Sequence, residues 1–154
     1  MTDPRIEAWA RTLVTYSTRV QPGDVVSIEG DVSTRPLLAA LYRETLRAGG
    51  LPTVIPRLGE LNAELLNLGS DEQLTWLSPV DCWSRGEADV LIRVLGEENT
   101  KALTGVDPDR QIMRKRSQSA NADDDGACGR GRVQVDIDAL PNERLRPGRR
   151  TLDE

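Results

Sequence analysis

The stretch Val20–Gly30, VQPGDVVSIEG, decides the fold, because it contains the sharpest change from helix to strand in the chain. Pro22-Gly23 ends the preceding helix, since proline lacks an N–H and glycine adopts turn conformations easily. Asp24–Glu29 (DVVSIE) is short, β-branched and close to glycines on both sides. It is therefore predicted to be a strand.

Helices are predicted on both sides of this strand. Asp3-Pro4 begins the first, because aspartate caps free amides and proline fits the first turn. Ser33 or Thr34 begins the second, which Gly49-Gly50 ends. Apolar residues recur every three or four positions, as in a helix with one buried face. The residues predicted to be buried are Ile6, Trp9, Ala10, Leu13, Val14 and Ser17 in the first helix, and Leu37, Leu38, Leu41, Thr45 and Leu46 in the second.

Two more strands and three more helical segments follow. Pro52–Leu58 (PTVIPRL) should lie near a sheet edge, because Pro56 cannot donate a ladder hydrogen bond. Ala88–Leu95 (ADVLIRVL) is the third strand. The helical segments are a short one with Leu61, Leu65 and Leu66, one from the capping box Ser70-x-x-Gln73 through Leu74 and Leu77 to Pro79, and one from Glu97 to about Arg116.

The order α-β-α-β-α-α-β-α predicts an α/β fold with a small open doubly wound, mainly parallel sheet. Ligands of such sheets bind beyond the carboxyl ends of the strands. Those ends are Glu29-Gly30-Asp31, Leu58-Gly59-Glu60 and Gly96-Glu97-Glu98, and none matches a nucleotide-binding motif. Their acidic residues indicate either a metal or amine site or the stabilisation of helix N-termini, and the second interpretation is favoured.

Composition narrows the function classes. The chain has 154 residues, a formal net charge of −5, two cysteines and no histidine. No nucleic-acid partner is expected, and Arg114-Lys115-Arg116 is interpreted as the solvated end of a helix. With no secretory signal or long apolar run, a cytoplasmic location without a membrane partner is expected. Cys82 and Cys128 lack a metal or disulfide spacing and are expected to stand alone.

The residue types present in the sequence do not favour a catalytic site. Without histidine, the Ser-His-Asp and Cys-His arrangements and the usual zinc sites are excluded. Asp123–Asp125 is the sole tight carboxylate cluster and lacks the ligand spacing of a calcium loop, so a disordered acidic run is favoured. We therefore predict no catalytic, cofactor-binding or metal-binding residue in this chain.

Four segments carry a resemblance to a known family. They are Val20–Gly30, Pro36–Gly50 (PLLAALYRETLRAGG), Ser70–Pro79 (SDEQLTWLSP) and Ala88–Gln111 (ADVLIRVLGEENTKALTGVDPDRQ). In this order they resemble the N-terminal portion of the thermophilic metallo-aminopeptidases, the aminopeptidase T family. The resemblance covers roughly residues 1–118 and rests on scaffold segments, with Cys82–Glu87 the least similar.

The resemblance implies a homodimeric intracellular peptidase that acts on peptides with two divalent metals, either zinc, cobalt or manganese. Such metals polarise a peptide carbonyl and activate water. The family's metal ligands belong to its larger C-terminal part. No catalytic residue is therefore carried over, and this chain alone is expected to be inactive.

The composition changes near Ala120. From Asn121 to Glu154 there is no aromatic residue and no sustained period, so this stretch is expected to be an irregular, disordered C-terminal tail without a strand. Back-translated one nucleotide forward, Val133–Gly148 can become CRWTSTLCPTNASAQD, which resembles the family's continuation. We therefore divide the chain into an aminopeptidase T-like α/β domain, residues 1–118, and a tail, residues 119–154, truncated and translated out of frame; an unrelated natural tail is the alternative.

Two other functions stay open. The chain could be a stand-alone protein-interaction module, or a small-molecule-binding module that uses the acidic strand ends. If it is a fragment, apolar residues that met the missing part should be exposed. The candidates are Trp76, Leu77, Trp83 and the leucines of Leu61–Leu68.

Overall fold

The computed structural model describes residues 3–96, 105–123 and 133–138. The helices and strands, in chain order, are α1 (Pro4–Thr12), which continues as a π-helical turn over Leu13–Ser17, β1 (Val25–Asp31), α2 (Arg35–Arg47), β2 (Leu51–Arg57), α3 (Glu60–Leu68), α4 (Asp71–Thr75), α5 (Pro79–Gly86), β3 (Val90–Leu95), α6 (Pro108–Asp123) and β4 (Val133–Asp138). A short 3₁₀ turn, Val32–Thr34, joins β1 to α2.

The four strands form one parallel sheet in the order β2-β1-β3-β4. Val26 of β1 pairs with Pro52 of β2 on one side and with Val90 of β3 on the other. The three predicted strands and their parallel pairing are confirmed, as is the α/β class with an open doubly wound sheet. β2 is an edge strand, as Pro56 predicts.

The main core lies between one face of the sheet and the helices α1 and α2. Val26 and Ile28 of β1 and Ile92 of β3 point into it and are completely buried. Gly30 is required at the end of β1, because a Cβ there would lie 2.8 Å from Leu38 Cδ2 of α2 and 3.0 Å from Val94 Cβ. The glycine therefore lets α2 approach the sheet closely.

The other face of the sheet carries α5 and mixes polar and apolar side chains, with Leu91 of β3 buried opposite Ser27 of β1. Because side chains alternate along a strand, Ser27 and Glu29 point away from the main core. The hydroxyls of Ser27 and Ser84, from β1 and α5, are hydrogen-bonded at 2.8 Å and are fully buried. Helices on both faces make the sheet doubly wound.

A second, smaller core joins α3, α4 and α6 around Leu66, Leu74 and Val106. Arginines of α6 complete it by binding carbonyls that the ends of α3 and α4 leave free. Arg110 Nε donates to the Leu66 carbonyl at 2.7 Å, and Arg114 donates to the Leu74 carbonyl at 2.9 Å. The interpretation of Arg114 as solvated is therefore wrong, whereas its neighbours Lys115 and Arg116 are exposed.

Two predicted inward residues point outward instead. The π-helical turn inserts an extra residue per turn and rotates the face, so Thr18 is buried where Ser17 was expected. Thr18 Oγ1 donates to the Leu13 carbonyl at 3.0 Å. In α2, Leu46 is 52% exposed, and Glu44 is buried instead because Arg11 and Arg47 neutralise it.

One predicted cap lacks its hydrogen bond, and two helix boundaries differ from the prediction. Thr34 precedes α2 without a capping hydrogen bond from its side chain. The capping box of Ser70 and Gln73 forms as predicted, but α4 ends at Thr75 and Leu77 lies outside it. Pro79 was predicted to end a helical segment, but it is the first residue of α5, and Ser78 caps this helix. The sequence prediction did not include α5.

The last helix is displaced along the chain. α6 begins at Pro108, after a turn at Gly105, and runs to Asp123, past the predicted end near Arg116. The predicted helix start at Glu97 and the aspartates Asp124 and Asp125 lie outside the described residues. Cys82 is disulfide-bonded, so the expectation that it stands alone is wrong, and Cys128 lies outside the described residues.

The expectation of a tail without a strand is also wrong. Val133–Asp138 forms β4, parallel to β3 along its full length, with Val90 opposite Val133 and Leu95 opposite Asp138. Ile137 is 7% exposed and belongs to the main core. The physical reason is the alternation V-Q-V-D-I-D, which gives β4 one apolar face for the core.

Several apolar side chains lie exposed on the surface. Leu61, Leu68 and Trp76 are 52%, 81% and 64% exposed, as predicted. Leu77 and Trp83 are half-buried, and Leu66 is buried in the small core. No helix in the described part of the chain is long and apolar enough to cross a membrane.

Candidate functional site

The strand order creates a switch point at the carboxyl ends of β1 and β3. From β1 the chain passes to β2 on one side, whereas β3 lies on the other side. In open parallel sheets the crevice at such a point is where ligands bind. Asp31, the last residue of β1, lies in this position between Gly59 and Gly96, which follow β2 and β3.

Asp31 is held by backbone amides. Its Oδ1 accepts from the Ser33 N–H at 2.8 Å, and its Oδ2 accepts from the Gly59 N–H at 3.2 Å. Hydrogen bonds from Ser33 and Gly59 lower the pKa of Asp31, because they stabilise the charged carboxylate. A Cβ at Gly96 would lie 2.8 Å from the Asp31 Cβ, so the absence of a side chain there keeps the crevice open.

A buried charge cluster lies beside Asp31 on the α5 face of the sheet. Glu29 is 4% exposed and accepts a hydrogen bond from the Ser84 hydroxyl of α5. Arg57 at the end of β2 approaches Glu29 Oε2 to 3.1 Å and also pairs with Asp81. Arg93 of β3 lies 3.8 Å from the same Glu29 oxygen. The buried carboxylate is thus compensated from two neighbouring strands and one helix.

The arginines around Glu29 differ in electrostatic environment. Burial by itself lowers the pKa of Arg57, but the hydrogen bond to Asp81 and the charges of Glu29 and Asp81 outweigh it, so the pKa is raised. Burial and the nearby charge of Arg93 lower the pKa of Arg85. Arg85 donates instead to the Gln118 carbonyl of α6 at 3.1 Å, so the cluster also anchors this helix.

The arrangement holds the strand ends in place rather than supplying reactive groups. Ser84 is fully buried, so its hydroxyl cannot reach a substrate although Glu29 lies against it. The carboxylates of Glu29 and Asp81 are engaged by arginine. Among residues 3–96, 105–123 and 133–138, no three His, Cys, Asp or Glu side chains lie close enough to hold a metal ion. The described residues do not fit a two-metal centre.

The structure gives the surroundings of the acidic residues at the strand ends. Among these residues, Glu29 is paired with arginines and Asp31 accepts hydrogen bonds from backbone amides, whereas Glu60 is exposed. Glu97 and Glu98 lie outside the described residues. Ser84, Asp81 and Arg93 were not predicted as site residues. Only the Ser78-Pro79 helix start could have indicated that a helix brings Ser84 and Asp81 to this face.

Comparisons with known proteins agree with this fold. The sequence model of the thermophilic metalloprotease family (M29) matches residues 2–143. Among solved structures, wild-type AmpT from Thermus thermophilus is similar with a TM-score of 0.68 and 16% sequence identity, over 90% of this chain and 36% of AmpT. No curated protein matches the sequence.

The chain therefore belongs to the thermophilic metalloprotease family. Within that family it is an N-terminal, aminopeptidase T-like portion, and it spans about a third of the AmpT chain (36%). The resemblance found in the sequence is confirmed, and the matched residues include β4.

Proposed function

We propose that this chain forms the N-terminal scaffold of a metal-dependent aminopeptidase that releases N-terminal amino acids from peptides, and that the chain by itself is inactive. The family match over residues 2–143 carries the first part. The lack of histidine and the engaged carboxylates at the strand ends support the second. For the whole enzyme, we also propose two divalent metals (zinc, cobalt or manganese), a homodimer and a cytoplasmic location.

Metal binding tests the proposal directly. Equilibrium dialysis of the chain against zinc or cobalt, followed by elemental analysis, should find no pair of tightly bound ions. A two-metal centre needs several ligands around ions about 3.5–4 Å apart. Two equivalents of retained metal, lost on substitution of Glu29 or Asp31, would show that the chain carries its own centre and would overturn the proposal.

The reading frame of residues 119–154 is a further part of the proposal. The back-translated sequence of Val133–Gly148 supports an out-of-frame segment, whereas the family match through residue 143 and the pairing of β4 with β3 support a continuation in frame. Sequencing the gene and translating all frames downstream should reveal the histidine-containing continuation in another frame. A single open frame that continues the family sequence in phase would contradict it.

A stand-alone interaction module is the second candidate function. An apolar cavity of about 430 Å³ on the α2 side of the sheet favours it. Such a module would fold and bind a partner without any further enzyme domain.

A further inference from the structure

The cavity lies between α2 and the edge strand β2, away from the switch point. We call it the α2–β2 groove, and we call the two arginines that line it, Arg35 and Arg43, its rim. The other lining residues are Val32, Leu38, Ala39, Tyr42, Val54 and Pro56. Its volume, about 430 Å³, is within the range of sites that take ligands or partner side chains. Nearly all of its lining is apolar.

The apolar surface continues beyond the cavity. On α2, Ala39, Tyr42 and Leu46 follow one another at spacings of three and four, so they share one face of the helix. Tyr42 and Leu46 are 40% and 52% exposed. The stripe from Ala39 to Leu46 is about 10 Å long, two helical turns, so together with the cavity it suits a short row of partner side chains better than one small molecule.

The edge of the sheet disfavours an extended strand as the occupant. Leu51 N–H donates to the Asp24 carbonyl of β1. In a parallel ladder alternate residues face opposite sides, so residues 52, 54 and 56 direct their backbone groups to the open edge. Pro52 and Pro56 have no N–H, which leaves Val54 as the single donor of the three. Strand addition would therefore lack two of the three hydrogen bonds that the edge would donate, although the three carbonyls remain as acceptors.

The charged residues at the groove determine which charge a bound partner should carry. Arg35 is exposed at the first turn of α2, where the helix N-terminus adds positive potential. Arg43 lies about two turns further along α2, is half-buried and is paired with Glu7 of α1, so Arg35 supplies most of the unpaired positive charge. Acidic side chains flanking an apolar row would pair with this rim.

We propose that the α2–β2 groove binds an acidic amphipathic helix from a separate polypeptide. The apolar row of that helix would fill the groove from Val32 to Leu46, and its glutamates or aspartates would meet Arg35 and Arg43. The groove is at the β2 edge, opposite β4, from which the chain runs on. The proposal is independent of the peptidase function.

Three labelled peptides test it on the full chain by fluorescence anisotropy. Each is about 18 residues long, enough for a stable helix. The first has leucines at three-and-four spacing and glutamates elsewhere, the second has lysines in place of the glutamates, and the third alternates leucine and glutamate as a strand. We expect the acidic helix to bind at least about tenfold more tightly than the other two, with affinity falling as salt rises.

Variants locate the binding. Arg35→Glu should reverse the preference in favour of the lysine peptide, and it should fold, because an acidic residue in the first turn of a helix is favourable. Tyr42→Asp should weaken the acidic peptide at least about tenfold, because it places a charge in the apolar row. Leu68→Asp, on α3, is the matched control and should change nothing.

Several outcomes would overturn the proposal. Three concern the peptides: equal binding of the acidic and lysine helices, tightest binding of the strand peptide, or no binding of any peptide at about 1 mM. The fourth is that Leu68→Asp weakens binding of the acidic peptide as much as Tyr42→Asp does. Self-association of the chain that Arg35→Glu or Tyr42→Asp abolishes would show instead that a second copy occupies the groove. Circular dichroism of each variant checks that it is folded.

Discussion

At the scale of single residues, Glu29 is the group on which the carboxyl ends of the strands depend. It is buried, and it joins Ser84 of α5, Arg57 of β2 and Arg93 of β3. Removing its charge leaves two arginines without their shared carboxylate. Bonds to charged groups of this kind contribute more than neutral ones.

We therefore expect Glu29→Gln to lower the free energy of unfolding by about 2 kcal/mol. The arginines are partly exposed, so water replaces some of what is lost and the full cost of an isolated buried charge is not reached. Urea denaturation measures it, with the exposed Glu60→Gln as control. Equal midpoints for the two variants would contradict the assigned role.

Asp31 gives a prediction with a defined pH dependence. Hydrogen bonds from Ser33 and Gly59 lower its pKa below the ordinary value of 3.8. A carboxyl whose folded pKa is lowered adds stability above its unfolded pKa, and this stability is lost as the pH falls through the folded pKa. The wild type should therefore exceed Asp31→Asn in stability at neutral pH, and the difference should shrink below pH 3.8. Thermal unfolding across pH 2–7 measures it; a difference that grows on acidification would contradict the account.

At the scale of helices and strands, local patterns predict much of the fold. β1, β2 and β3 are short apolar runs bounded by turn residues, the helix before β1 has a capped start at Asp3, and the helix before β2 has a proline in its first turn. The cluster around Glu29 could not be predicted in this way. It depends on pairing between residues far apart in sequence, such as Ser84 and Glu29, separated by 55 positions.

Two errors show which physical effects the pattern missed. Pro79 ends one segment and begins α5, and proline permits both. The alternation of Val133–Asp138 signals a strand, but the polar composition around it led to the expectation of an irregular tail. A six-residue strand beside β3 needs only one apolar face, and the core supplies the rest of its stabilisation.

The role of β4 is testable. Ile137→Ala should lower the free energy of unfolding by about 2–4 kcal/mol, because Ile137 is 7% exposed in the main core. Leu68→Ala, at a position 81% exposed, is the control and should change it by less than about 0.5 kcal/mol. If Ile137→Ala is as neutral as the control, residues 133–138 do not form part of the folded sheet.

At the scale of the whole molecule, several large apolar side chains lie outside the two cores and are exposed to solvent. Leu61, Leu68 and Trp76 are each more than half exposed. The chain spans 36% of AmpT, and these three side chains leave apolar surface exposed. Such surfaces favour association.

We therefore expect self-association that rises with protein concentration and a Trp76 emission typical of a solvated indole. Sedimentation equilibrium and tryptophan fluorescence measure the two. The double variant Leu68→Ser and Trp76→Ser should associate less, while Tyr42→Ser in the α2–β2 groove should not. A monomer at every concentration, with a sharp unfolding transition at high temperature, would show instead that the chain is a self-sufficient module.

The central claim is that this chain has the scaffold of a metallo-aminopeptidase without its catalytic centre. Release of leucine from a leucyl substrate, measured with and without added zinc, cobalt or manganese, tests it most directly. Protein purified free of host peptidases should give the rate of the blank under every condition, because no described cluster of side chains can hold the two metals. Metal-dependent release of leucine above the blank would contradict the claim.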